Sequence, residues 1–135
     1  PNSVKIKNNK IITIFQTKKG TKSVFWLKIR KRNGKYQLRA ETKLDNNNTV
    51  RTTWKTVSND AHLIEVEWKA AAGSQGYMKL YIDDVLKQTK PGLNNDTLTV
   101  RSANLGFINK LANAAVVGTY YIDDFLSSDS GYIGP

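Results

Sequence analysis

Three observations predict an all-β protein, an antiparallel β-sandwich of the jelly-roll type. Apolar and polar residues alternate with period two through almost every segment, as they do in half-buried strands. Those segments are rich in Val, Ile, Thr and aromatic residues, and clusters of Gly, Asn, Asp and Pro separate them. No strand–helix–strand alternation occurs, which points to antiparallel pairing.

Strands are expected near 10–18, 23–32, 35–44, 50–57, 62–71, 76–89, 98–108 and 118–127. Lys19-Gly20 closes the first, and Asn33-Gly34 joins the second to the third. Asp45-Asn-Asn-Asn48 and Ser58-Asn-Asp60 bracket the fourth, Gly73-Ser-Gln-Gly76 separates the fifth from the sixth, and Pro91-Gly92 with Asn94-Asn-Asp96 precedes the seventh. The last, within Gly118–Ser128, is amphipathic and is followed by a glycine-punctuated exit, Gly131-Tyr-Ile-Gly-Pro135. Residues 110–116 alone have a helical composition and read as a loop.

Asn33-Gly34 is the strongest local signal, because a two-residue type I′ turn sets the register of both flanking strands. It pairs Arg32 with Lys35, Arg30 with Gln37, Lys28 with Arg39 and Trp26 with Glu41. The alternate positions, Phe25, Leu27, Ile29, Tyr36, Leu38 and Ala40, form an apolar face and belong to the core. The opposite face shows Trp26, Lys28, Arg30, Arg32, Lys35, Arg39 and Lys43. Like charges side by side destabilise a sheet, so this stripe is either a site for an anionic ligand or a solvated face covered by long Lys and Arg stems.

At 135 residues the chain is expected to be one domain, 1–135, and its opening Pro1-Asn-Ser reads as part of something longer. No apolar run is long enough to span a bilayer as a helix. Cysteine is absent, which removes disulfides and thiol chemistry. The net charge of +10 is lopsided. Residues 1–60 hold 15 Lys/Arg against three acids, and residues 61–135 hold six against eight. An anionic partner for the first half follows, unless these lysines are merely solvated.

Catalytic signals are sparse. Glu65 and Glu67 share one face of a strand, as paired acids of a glycosidase would, but His62 and Lys69 break any longer acid pattern. Asp83-Asp84 and Asp123-Asp124 each offer at most one carboxylate per face. This leaves Asp84 and Asp123 as weak metal candidates, with calcium the metal in question, against turn capping. His62 is the only histidine, so neither a metal–histidine cluster nor a Ser/His/Asp arrangement is expected, and it reads as a structural residue. Phosphate-loop and dinucleotide-binding patterns are absent. Trp68 is in phase with Ile64 and Val66 and belongs to the core, Trp26 is the best exposed platform, and Trp54 has no clear side.

The string Trp54…Ser58…His62-Leu-Ile-Glu-Val-Glu-Trp68-Lys-Ala, then Gly73…Gly76-Tyr-Met-Lys-Leu-Tyr-Ile-Asp-Asp84, Leu105-Gly106 and Gly118-Thr-Tyr-Tyr-Ile-Asp-Asp-Phe125 resembles laminin-G-like, concanavalin-type lectin–glucanase domains of bacterial surface and secreted proteins. The match runs from about residue 23 to 135, with Asp84 standing where the family's Asp-Gly turn has glycine. The resemblance implies a non-catalytic, lectin-like module outside the cell or on its surface. It also implies N-terminal strands that this chain, with little before Ile11, is expected to lack, so that its sheet edge would be completed by another chain or an upstream segment. The ligand expected is an acidic or sulfated polysaccharide, held by Trp26, Lys28, Arg30 and Arg39, with Arg51 and Lys55 contributing. A structural or adhesive protein–protein module is the alternative. Nucleic acid is a weaker candidate, since no row of aromatics accompanies the charge.

Overall fold

The computed structural model describes residues 4–108, 116–129 and 133. Every regular element among them is a strand: β1 (Lys5–Ile6), β2 (Ile11–Lys19), β3 (Lys22–Arg32), β4 (Lys35–Lys43), β5 (Thr49–Arg51), β6 (Lys55–Val57), β7 (Ile64–Lys69), β8 (Gly76–Ile82), β9 (Val85–Leu93), β10 (Ser102–Leu105) and β11 (Val116–Val117). They form a β-sandwich. A six-stranded sheet runs β10-β2-β3-β4-β5 with β6 also on β4, a three-stranded sheet runs β7-β8-β9, and β1 pairs with β11. All pairings are antiparallel.

The β3–β4 hairpin has the register that its turn dictates. Asn33 and Gly34 both have positive φ, at 50° and 76°, and the ladder matches Arg32 with Lys35, Arg30 with Gln37, Lys28 with Arg39 and Trp26 with Glu41. Phe25, Leu27, Leu38 and Ala40 are buried, with Ile29 and Tyr36 packed against them. The facing layer is β8, whose Met78, Leu80 and Ile82 are buried at every second position. Each such side chain contributes about 1.5–3 kcal/mol by leaving water. Trp68 on β7 lies against this core and links the layers, its indole N–H donating to Thr42 Oγ1 on β4 at 3.0 Å.

Two irregularities adapt the large sheet to its core. The β2–β3 ladder skips at Ile14 and again at Val24, where one strand carries an extra residue. Both extra residues are buried, and Val24 goes inward although it is out of phase with Phe25 and Leu27.

Strand 50–57 is replaced by two short strands. Between them the chain leaves the ladder at Thr52, whose Oγ1 accepts the Ala40 amide at 3.0 Å and stands in for a strand carbonyl. Strand 76–89 is a hairpin that turns at Asp83-Asp84, both at positive φ (53° and 59°), because two aspartates supply the left-handed geometry usually given to Asn-Gly. The expected closing strand at 118–127 joins no ladder. Instead Phe125 touches Phe15 of the large sheet, with ring centroids 5.9 Å apart, and Tyr120 stacks on Phe107, just after β10, at 5.2 Å. The few residues before Ile11 do pair with the C-terminal part of the chain, through Lys5–Val117 and Ile6–Val116. The loop expected at 110–116 falls outside the described residues, apart from Val116 in β11.

Where β7 and β8 meet, the backbone approach is close. Asn95 is buried, accepts the Ala71 amide on Oδ1 at 3.0 Å and donates Nδ2 to the Lys69 carbonyl at 3.2 Å. Gly76 lies against it, and a Cβ there would stand 2.3 Å from Asn95 Oδ1 and 2.7 Å from the Leu93 carbonyl. Gly76→Ala is therefore expected to destabilise the fold by about 1–3 kcal/mol, the cost of overpacking. Urea unfolding of wild type and variant checks it, and an unchanged midpoint would refute it.

Candidate anion-binding face

The outward side of β3, β4 and β5 gathers most of the expected ligand-binding residues. At its centre is Glu41, 1% exposed. Lys28 donates from Nζ to Glu41 Oε2 at 2.7 Å, Arg39 Nη2 contacts Oε1, and Arg51 Nε lies 3.6 Å from Oε1. Arg51 reaches this cluster because it is Glu41's register partner on β5. Three of the expected anion ligands are thus already engaged by a carboxylate of the chain itself.

Arg30 is arranged differently. Its Nε donates to Gln37 Oε1 at 2.8 Å, and its guanidinium carbon lies 4.1 Å from the centre of the Trp54 ring. Arg39 contacts the same ring at 4.3 Å. Trp54, which the sequence left without a side, belongs here because the excursion at Thr52 carries it over the basic face. Desolvation, with the like charges of Arg32 and Arg39, holds Arg30 below its ordinary value. No acid pairs with Arg30 among the described residues. A stacked guanidinium keeps its in-plane N–H donors available for a bidentate oxyanion.

Trp26 is half-buried rather than an open platform. It lines a recess of about 310 Å³ with Lys22, Ser23, Lys43, Asn47 and Leu98, and Lys28 Nζ lies 5.3 Å from its ring centre. Lys55 is not brought to this face. It is the register partner of Leu38, on the core-facing phase of β4.

The remaining candidates lie elsewhere. Glu65 and Glu67 share the outward face of the three-stranded sheet, where Glu67 accepts from Tyr77, from Lys79 at 2.9 Å and from Tyr81 at 3.2 Å. Burial pushes Glu67 up, but these donors outweigh it and hold the carboxyl below its ordinary value. Asp84 is exposed in the β8–β9 turn, and Asp123 lies in the segment after Gly118. Among the described residues, no three His, Cys, Asp or Glu side chains converge as a metal site. No helix among them is long and apolar enough to cross a membrane.

The expectation that one histidine rules out a Ser/His/Asp arrangement is wrong. One is enough, and His62 lies between Ser58 and Asp83, 2.9 Å and 2.8 Å away. Asp83 is distant in sequence, but the β7–β8 register, Ile64 opposite Ile82, brings it beside His62.

No family profile, characterised protein or solved structure matches the chain. The laminin-G-like resemblance therefore rests on the quoted sequence strings alone.

Two outcomes follow. Glu41→Ala leaves three partly exposed cations without their carboxylate, and should cost about 2–3 kcal/mol, below the loss on breaking a fully buried pair. Added sulfate should restore part of that loss in the variant and little in wild type, and an equal effect on both would show that the cluster does not accept anions. Glu67, with a lowered folded-state value, stabilises above the unfolded glutamate range near 4.3 and loses that contribution as pH falls through its folded-state value. The stability gap between wild type and Glu67→Gln should therefore be widest at neutral pH and close as pH falls below the ordinary glutamate range, as read from denaturant midpoints across pH.

Proposed function

We propose that this chain is a lectin-like recognition module that binds an acidic or sulfated polysaccharide through the outer face of β3 and β4, and that its work is extracellular or at a cell surface. The observation that carries this reading is Arg30. It is stacked on Trp54, crowded by Arg32 and Arg39, and paired with no acid among the described residues. A sulfate or carboxylate group of a glycan relieves that crowding and accepts two parallel N–H bonds. The recess beside Trp26, flanked by Lys22 and Lys43, suits the neighbouring sugar ring. Lys28, Arg39 and Arg51 serve chiefly to hold Glu41 and only secondarily to meet ligand. The laminin-G-like resemblance is in keeping with this role.

A second reading, an adhesive protein–protein module, draws on a different feature. Tyr121, Ile122, Phe125 and Leu126 are 43–68% exposed in a segment outside every ladder, and they line the same groove as the edge strand β7. A protein strand added there would bury them.

Retention on immobilised heparin against rising salt tests the first reading. Wild type should elute late with a steep salt dependence, and Arg30→Ala with Trp54→Ala should flatten the slope by about one contact's worth. Low-salt elution unchanged by the substitutions would refute it. Association that depends on protein concentration and ignores heparin would favour the second.

A further inference from the structure

The loop between β6 and β7 meets the β8–β9 turn through a continuous hydrogen-bonded chain. His62 Nδ1 lies 2.8 Å from Asp83 Oδ2, and His62 Nε2 lies 2.9 Å from Ser58 Oγ. Asp83 is fixed from behind. The Leu63 amide donates to its Oδ1 at 3.1 Å, and its own amide donates to the Leu63 carbonyl at 2.8 Å. The His62 side chain is 19% exposed, so its orientation is set by packing as well as by Asp83. Ser58 is exposed. Its Oγ also receives the Asp60 amide at 3.1 Å and sits 2.7 Å from Asp60 Oδ2. The hydroxyl proton thus has two destinations. With His62 charged, both ring N–H groups donate and Ser58 turns its proton to Asp60. With His62 neutral and protonated on Nδ1 toward Asp83, Nε2 is a lone pair facing Ser58, and the hydroxyl turns to it. The second arrangement is that of a nucleophile, its base and the group that orients the base.

We propose that Ser58 is a nucleophile activated by His62 and Asp83, and that it accepts acyl groups from uncharged carboxylic esters. Asp60 contacts Ser58 and Asp83 contacts its base His62, with Lys87 acting on Asp83, so a negatively charged acyl donor meets two carboxylates and is disfavoured. The ionised state of Asp83, held below its ordinary value chiefly by the hydrogen bond to His62, suits the orienting role. Ser58 Oγ bonds to the ester carbonyl carbon while its proton passes to His62 Nε2. The bond from that carbon to the leaving oxygen then breaks as His62 returns the proton to the departing alcohol, leaving an acyl-serine that water cleaves by the same route. Donors aimed at the developing oxyanion are worth about 10²–10³ in rate where an enzyme has them. The contacts described supply nucleophile and base, so acylation by an ester with a readily departing alcohol is expected to outpace hydrolysis of the acyl-serine, whose alkoxide is a poorer leaving group.

The test uses the whole chain and p-nitrophenyl acetate. Wild type should release about one equivalent of p-nitrophenolate in a burst and carry an acetyl group on the peptide containing Ser58. Ser58→Ala and His62→Ala should abolish the burst, and Asp83→Asn should slow it. Wild type that acylates no faster than Ser58→Ala overturns the proposal. A second measurement reads the base directly, because the chain has no cysteine. The lone thiol of Ser58→Cys should react with iodoacetamide at neutral pH about tenfold faster than the same thiol in the Ser58→Cys/His62→Ala double variant, as expected for a thiolate stabilised by imidazole. Equal rates would show that His62 does not activate this position.

Discussion

A carboxylate taken out of water in the outer layer of a sheet is unstable unless charge and hydrogen bonds meet it. At Glu41 they come from three different strands: Lys28 on β3, Arg39 on β4 and Arg51 on β5. The carboxylate therefore ties those strands together on the side away from the core, while Phe25, Leu27, Leu38 and Ala40 tie two of them on the core side. It also makes the cationic stripe tolerable. Without an acid at its centre, facing pairs such as Lys28 with Arg39 would repel one another across the ladder.

The same face holds two kinds of positive charge. Lys28, Arg39 and Arg51 face a carboxylate, Lys28 and Arg39 with an indole ring beside them as well, whereas Arg30 is met by an indole ring and by no acid among the described residues. An ion cancels the field that an approaching anion feels. A ring contributes about 0.5–2 kcal/mol of attraction yet leaves the net charge in place. Arg30 is accordingly a more available anion partner than its neighbours, although all are equally basic in sequence. What separates Arg30 from them is that Glu41 engages the other three and not it, while the step out of register at Thr52 brings Trp54 to Arg30 and Arg39 alike.

How much was legible follows from this contrast. The turn at Asn33-Gly34 and the alternation on either side of it were enough for the hairpin, its four cross-strand pairs and its buried face, since local chemistry sets each of them. Alternation also placed Trp68 inward. It could not tell whether a neighbouring strand is present, so residues 118–127 looked like a strand and join no ladder. Asp83-Asp84 hid a hairpin, because aspartate enters left-handed geometry less often than glycine and so signals it weakly. At the basic face, the lone acid among many cations was visible, and its fate as their buried partner could have been argued from its register with Trp26. The placing of Trp54, and of Asp83 beside His62, depends on tertiary contacts across 15 or more residues that no local pattern encodes.

The β8–β9 turn has a consequence for how this molecule would respond to selection for robustness. Two aspartates at φ 53° and 59° occupy backbone positions that glycine or asparagine would fill with less strain. Replacing them with Asn-Gly is the kind of change that consensus engineering favours, and it would relax the backbone there. It would also remove the carboxylate that receives the Leu63 amide and orients His62. The turn is thus a point where thermal resilience and the alignment of a distant side chain pull in opposite directions, and retention of aspartate at 83 in a stabilised descendant would mark the alignment as the property being kept.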